Sequence, residues 1–159
     1  MNPSMRHVES FPPKIEHCTE DSGAGPLAVR GRVLVAEDDP AFRYLLVGAL
    51  RADAHEVVEV SNGVDLIDAL GGSLIPEWGA GSFDLVLSDV RMPGWSGLDA
   101  LASLGRAFEL PPVVLITAFG DDELHQRALL AGAVAVLDKP IDLDDLRLFV
   151  RQLLQRRAD

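Results

Sequence analysis

Five polar side chains stand where four apolar runs stop: Glu37 and Asp38 after residues 33–36, Asp89 after 83–88, Thr117 after 112–116 and Lys139 after 134–137. If those runs are strands of one sheet, three carboxylates, a hydroxyl and an ammonium meet at one edge. Three carboxylates at close range repel and raise one another's pKa unless a cation joins them. An all-oxygen donor set suits a hard cation, and Mg2+ is the natural choice. One carboxylate can then attack phosphorus as a nucleophile to give an acyl phosphate, while the hydroxyl and the ammonium hold phosphoryl oxygens. That division of labour, positioning plus charge neutralisation, is what phosphoryl transfer chiefly needs. Lys139 adds to the pattern. From residue 31 onward the chain carries ten arginines and this one lysine, so a compact point charge stands in a background that otherwise uses the planar guanidinium.

The elements that must position these residues follow from periodicity. Residues 33–36 form a continuous apolar run, as a strand buried on both faces does. Asp39 and Pro40 supply an N-cap and a first-turn proline for a helix through Leu45, Leu46, Ala49 and Leu50. Residues 55–60 alternate like an edge strand. Asn62 caps a second helix with Val64, Leu66, Ile67 and Leu70, which Gly71 and Gly72 are expected to stop. Residues 73–82 read as a long surface loop, with Trp78 folded back onto the body. After the strand ending at Asp89, Gly97 precedes a helix with Leu98, Leu101 and Leu104. After the strand ending at Thr117, Asp121 or Asp122 caps a helix with Leu124, Ala128 and Leu129, closed by Gly132. A last helix from about Asp142 turns Leu143, Leu146, Phe149, Val150 and Leu153 inward, and its basic end at Arg151, Arg156 and Arg157 suits the helix dipole. Five strand–helix units in strict alternation demand an α/β fold, a parallel sheet with helices on both faces. The expected strand order is 2-1-3-4-5, which periodicity alone does not derive. In such a sheet ligands bind beyond the carboxyl ends of the strands, where the strand order reverses.

Composition narrows the function classes. The 159 residues suit one domain and at most a tail. Residues 1–30 hold Pro3, Pro12, Pro13, Gly23, Gly25 and Pro26 without periodicity, and are expected to be a flexible N-terminal extension before a domain over 31–159. A formal net charge of -11 repels phosphate backbones and argues against direct nucleic-acid binding. No apolar run approaches the ~20 residues needed to span a bilayer, and residues 1–8 lack the apolar block of a secretory signal. The one cysteine, Cys18, has no internal disulfide partner. A cytoplasmic protein without membrane contact is the reading.

Four stretches carry a family likeness. Val33-Leu34-Val35-Ala36-Glu37-Asp38-Asp39-Pro40, Leu87-Ser88-Asp89-Val90-Arg91-Met92-Pro93-Gly94, Ile116-Thr117-Ala118 and Leu137-Asp138-Lys139-Pro140 resemble response-regulator receiver domains of two-component signalling, over about residues 31–157. The resemblance implies a flavodoxin-like (βα)5 fold. It makes Asp89 the acceptor of a phosphoryl group from a partner histidine kinase or phosphotransfer protein. It implies that Asp38, Asp89 and the backbone carbonyl of Arg91 ligate Mg2+, with Glu37 acting through water. Thr117 and Lys139 would bind phosphoryl oxygens, and the Lys139–Pro140 bond would be cis. It also implies a downstream effector protein switched by phosphorylation, and a dimer through the face of the fourth helix, fifth strand and fifth helix. The chain stops just past the fifth helix, with no output domain expected within it, as in a single-domain regulator or a piece of a longer one.

Two departures from the family pattern stand out. Val136 occupies the position, three before the lysine, where many receivers carry a switching aromatic. Arg91 and Phe119, two residues past Asp89 and Thr117, border the expected path of the attacking water, and neither positions water well. A long-lived phosphorylated form is therefore expected. Plain structural roles fit other residues: Asp39 as a helix cap, the run Asp121-Asp122-Glu123 as a helix start, Trp95 as a partly buried ring, and His7, His17, His55 and His125 as scattered side chains without ligand spacing. Two other functions compete. A phosphorylation-independent interaction module would lack an acceptor, a metal ligand or the lysine, and none is missing. A phosphatase of the haloacid-dehalogenase type would place its nucleophile after the first strand with a second Asp two residues on, and Glu37-Asp38-Asp39-Pro40-Ala41 with no cap domain does not follow that pattern.

Overall fold

A computed structural model describes residues 30–79 and 81–159, so the expected extension lies, apart from Arg30, outside the described residues. The sheet has five parallel strands: β1 (Arg32–Ala36), β2 (Glu56–Val60), β3 (Leu85–Asp89), β4 (Val113–Thr117) and β5 (Ala135–Asp138), in the order β2-β1-β3-β4-β5. The intervening helices are α1 (Pro40–Ala52), α2 (Gly63–Leu74), α3 (Gly97–Gly105), α4 (Asp122–Leu130) and α5 (Leu143–Ala158). This is the expected flavodoxin-like fold and strand order. The sequence runs β1 then β2 outward, and the chain next crosses to β3 on the far side of β1. That reversal opens the crevice between β1 and β3.

Although β1 reads as one apolar string, its residues alternate between two layers. Val33 and Val35 pack with Leu46 and Leu50 of α1 and Leu146, Val150 and Leu154 of α5. Leu34 and Ala36 pack with Leu66 and Leu70 of α2, Leu98 and Leu101 of α3 and Ala128 of α4. Both faces of the strand are covered, which is why no polar residue interrupts it until its end. Each buried leucine contributes about 1.5–3 kcal/mol by burial.

All five helices start on a side-chain cap. Asp39, Asn62, Ser96, Asp121 and Asp142 accept from backbone N–H groups of the first turn at 2.8 to 3.4 Å, contributing typically ~1 kcal/mol apiece. Ser96 caps α3, and Gly97, expected to stand before that helix, is its first residue. A Cβ there would come 2.4 Å from the Asp89 carbonyl and 2.6 Å from Ser88 Oγ. Only glycine lets α3 begin so close to the end of β3.

Several expectations are corrected. Gly71 and Gly72 do not stop α2, which continues to Leu74. Their cost, about 1 kcal/mol each against alanine, is met by Leu74 packing on the core and by Ser73 Oγ donating to the Leu70 carbonyl at 2.6 Å. The supposed loop after it contains a 3-10 turn, Pro76–Trp78, and Trp78 is 67% exposed rather than folded back. On α5 the buried position is Leu154, with Leu153 partly buried, because the inward stripe rotates slightly along the helix. Leu45 on α1 and Leu129 on α4 face solvent.

Candidate functional site

The site is built on strand ends. Glu37 extends β1 by one ladder bond, its N–H donating to the Val60 carbonyl at 3.1 Å, and this keeps its side chain fully buried. Asp89 closes β3, and its N-terminal neighbour Ser88 pairs with Ala36, which places the two strand ends side by side. On β4, Ile116 lies opposite Asp89, and Thr117 lies opposite Asp138 on β5. The Lys139 N–H then donates to the Thr117 carbonyl at 2.8 Å, and the Lys139–Pro140 bond is cis. Register therefore brings residues about fifty positions apart to one edge.

Side chains complete the cluster. The Lys139 ammonium donates to Asp89 Oδ2 at 2.9 Å and to Glu37 Oε2 at 3.2 Å. The other oxygens are tied to backbone: Asp89 Oδ1 accepts from the Arg91 N–H at 3.0 Å, and Glu37 Oε1 accepts from the Asp39 N–H at 3.1 Å. Carboxylate oxygens of Glu37, Asp38 and Asp89 all lie within 4.8 Å of one another, Asp38 exposed and the other two buried. The Thr117 hydroxyl accepts from the Phe119 N–H at 3.1 Å, so it is engaged by the loop leading to α4. The Arg91 guanidinium stacks 5.1 Å from the centroid of the Phe119 ring, joining the loops that follow Asp89 and Thr117.

Charge is unbalanced here. Burial first, and then the Asp89 charge, push the Glu37 carboxyl up to about 7, against the lowering pull of the Asp39 N–H and Lys139. For Lys139, burial pulls the pKa down, but the hydrogen bonds and charges of Asp89 and Glu37 outweigh it and hold the ammonium above the usual lysine range. One ammonium against three converging carboxylates leaves surplus negative charge. A further hard cation would relieve it, and the all-oxygen donor set fits one.

The structure thus brings Glu37, Asp38, Asp89 and Lys139 together, ties Arg91 to Asp89 through its N–H, and sets Thr117 on the adjoining strand end. Sequence reasoning missed three contributors. Phe42 stands with its ring 4.6 Å from the Lys139 ammonium; its place as the third residue of α1, just past the acidic pair, was the available signal. Arg43 donates to the Glu37 carbonyl at 2.8 Å, one residue further along. His125 on α4 meets Asp138 Oδ1 at 3.1 Å, next to Lys139, a pairing across elements that spacing does not reveal. Val136 is a buried core residue packed among the α2–α4 layer, and Trp95 is 45% exposed.

Comparison with known proteins agrees with this geometry. Residues 33–151 match the family described as the response regulator receiver domain. Among curated relatives, the transcriptional regulatory protein PdtaR of Mycobacterium tuberculosis is 38% identical over 120 residues, covering 75% of this chain and 54% of that protein. The transcriptional regulatory protein TcrA of the same species is 34% identical over 146 residues, covering 89% of this chain and 54% of that protein. The chain thus spans about half the length of these relatives. A response regulator receiver domain protein from Clostridium thermocellum superposes with a TM-score of 0.64 at 26% identity, covering 80% of this chain and 96% of that one. The Francisella response regulator 1452 receiver domain shares the fold at a TM-score of 0.72 and 22% identity, covering 80% and 99%. With the acidic cluster at the sheet's switch point and the match running through all five of its strand ends, this chain belongs to the response regulator receiver domain family of two-component systems.

Proposed function

We propose that the chain is a phosphorylation-switched receiver, with Asp89 taking a phosphoryl group from a phosphohistidine on a sensor kinase or phosphotransfer protein. The observation that carries it is the Lys139 ammonium bridging Asp89 and Glu37 while Asp38 joins them within 4.8 Å. Asp89 attacks phosphorus, the phosphorus–nitrogen bond of the donor breaks, and the imidazole leaves with the electron pair. Lys139, already on Asp89, is placed to bind a phosphoryl oxygen, and Thr117 can supply its hydroxyl to another once it releases the Phe119 N–H. Asp38, Asp89 and the Arg91 carbonyl are the proposed holders of Mg2+, with Glu37 acting through water. When bound, the ion supplies positive charge that offsets the carboxylates and the incoming phosphoryl oxygens. Arg91 and Phe119, in contact across the two loops, would border the path of an attacking water.

The new charge at Asp89 would draw Thr117 and its loop inward and shift the face of α4, β5 and α5 toward a downstream protein or a second copy of the chain. Leu129, Leu130 and Val134, exposed on α4 and the segment entering β5, offer apolar contact there. Titration with beryllium fluoride and Mg2+, read by the fluorescence of Trp95 in a Trp78→Phe variant, tests the proposal. It should give a saturable one-site change that disappears in Asp89→Asn. Identical titrations for the two proteins would refute it.

A further inference from the structure

The position of Lys139 depends on more than its two carboxylate partners. An ammonium has three N–H donors on a flexible four-carbon stem. Two directions are taken by Asp89 and Glu37. The Phe42 ring lies 4.6 Å from the same Nζ, within the range where an aromatic face attracts a cation. The ring is itself half-buried. Phe42 sits in the first turn of α1, its N–H donating to Asp39 Oδ1 at 3.4 Å, and its side chain packs on the α1–α5 core layer along with Ile141 and Leu143. An aromatic ring resting on the core layer thus borders a charge that would otherwise gain rotamer freedom by swinging to solvent.

We infer that Phe42 is a positioning residue of the phosphoryl site, its ring holding the Lys139 ammonium over Asp89. The functional consequence rests on Asp89 as acceptor; the placement itself does not. A plain packing role at the start of α1 would be filled equally by leucine, which keeps apolar bulk but has no π face. Tyrosine keeps the face.

The chain's two lysines, Lys14 and Lys139, allow a direct test. Wild type, Phe42→Leu and Phe42→Tyr are treated briefly with acetic anhydride, and labelling of Lys139 relative to Lys14 is read by peptide mass spectrometry. Lys139 should label about three- to tenfold faster in Phe42→Leu and at the wild-type rate in Phe42→Tyr. In parallel, Phe42→Leu should weaken beryllium fluoride binding with Mg2+ by a similar factor, Phe42→Tyr should restore it, and the effect should vanish in a Lys139→Ala background. Unchanged labelling in Phe42→Leu, or equally fast labelling in Phe42→Tyr, overturns the inference. So does an affinity loss that persists without Lys139. If wild type takes no fluoride adduct, the acceptor reading falls and the labelling arm alone decides on Phe42.

Discussion

Single side chains carry two separable predictions. Arg91 and Phe119 stack at 5.1 Å between the loops after Asp89 and Thr117. Arg91→Asn removes that contact and leaves an amide able to orient water, so phosphate loss from the phosphorylated protein should quicken by about tenfold, on the order of one hydrogen bond's worth of stabilisation. A time course of phosphate release with an unchanged rate would discount the role. His55, to which spacing assigned nothing, is buried, and its Nδ1 accepts from the buried Gly31 N–H at 3.1 Å, fixing the entry to β1. Burial holds its pKa below the usual 6.5; the Asp53 charge opposes this and Arg151 adds to it. The folded protein therefore resists a proton that the unfolded chain accepts. The stabilisation is present above pH 6.5 and is lost as pH falls through the lower folded value. Urea melts from pH 7.5 to 5 should show wild type losing stability relative to His55→Asn, whose amide oxygen can replace Nδ1, whatever slope the other groups impose on both. His55→Ala should cost about 1–3 kcal/mol at pH 7.5, because the Gly31 N–H loses its acceptor. Equal pH slopes in wild type and His55→Asn would contradict the assignment.

The elements were the most legible part of the sequence, because most strands read as apolar runs, residues 55–60 alternated like an edge strand, and Asp39, Asn62 and Asp121 cap α1, α2 and α4 where expected. Those caps are local chemistry, readable from neighbours in the chain. What failed was set by tertiary packing. Gly71 and Gly72 looked like a stop, yet Leu74 gains enough by packing on the core to carry α2 past them. Gly97 shows the same limit from the other side: its need arises only where α3 crosses the end of β3. Gly97→Ala would put a Cβ 2.4 Å from the Asp89 carbonyl, so α3 or β3 must shift. The variant should lose about 1–3 kcal/mol by overpacking and lose beryllium fluoride affinity with it, whereas Gly48→Ala, with open space at its Cβ, should be neutral or slightly stabilising. Equal behaviour of the two variants in thermal melts would show that α3 does not press on the site.

For the molecule as a whole, the strand order and the position of the crevice follow from right-handed crossovers and from which layer each helix covers, and the motifs named the cluster before its geometry was known. Register turned Glu37, Asp38, Asp89 and Lys139 from separate strand ends into one site. The Phe42, Arg43 and His125 contacts could not be read because each depends on how one element's side packs over another's end. Among the described residues no helix is long and apolar enough to cross a membrane. The acidic cleft of Glu37, Asp38 and Asp89 is what the proposed function stands on. Intact-mass and peptide mass spectrometry after incubation with acetyl phosphate and Mg2+ tests it most directly. Wild type should gain one phosphoryl group, mapped to Asp89, which chelator prevents and Asp89→Asn does not acquire. A phosphoryl group on another residue, or equal uptake by Asp89→Asn, would contradict the account.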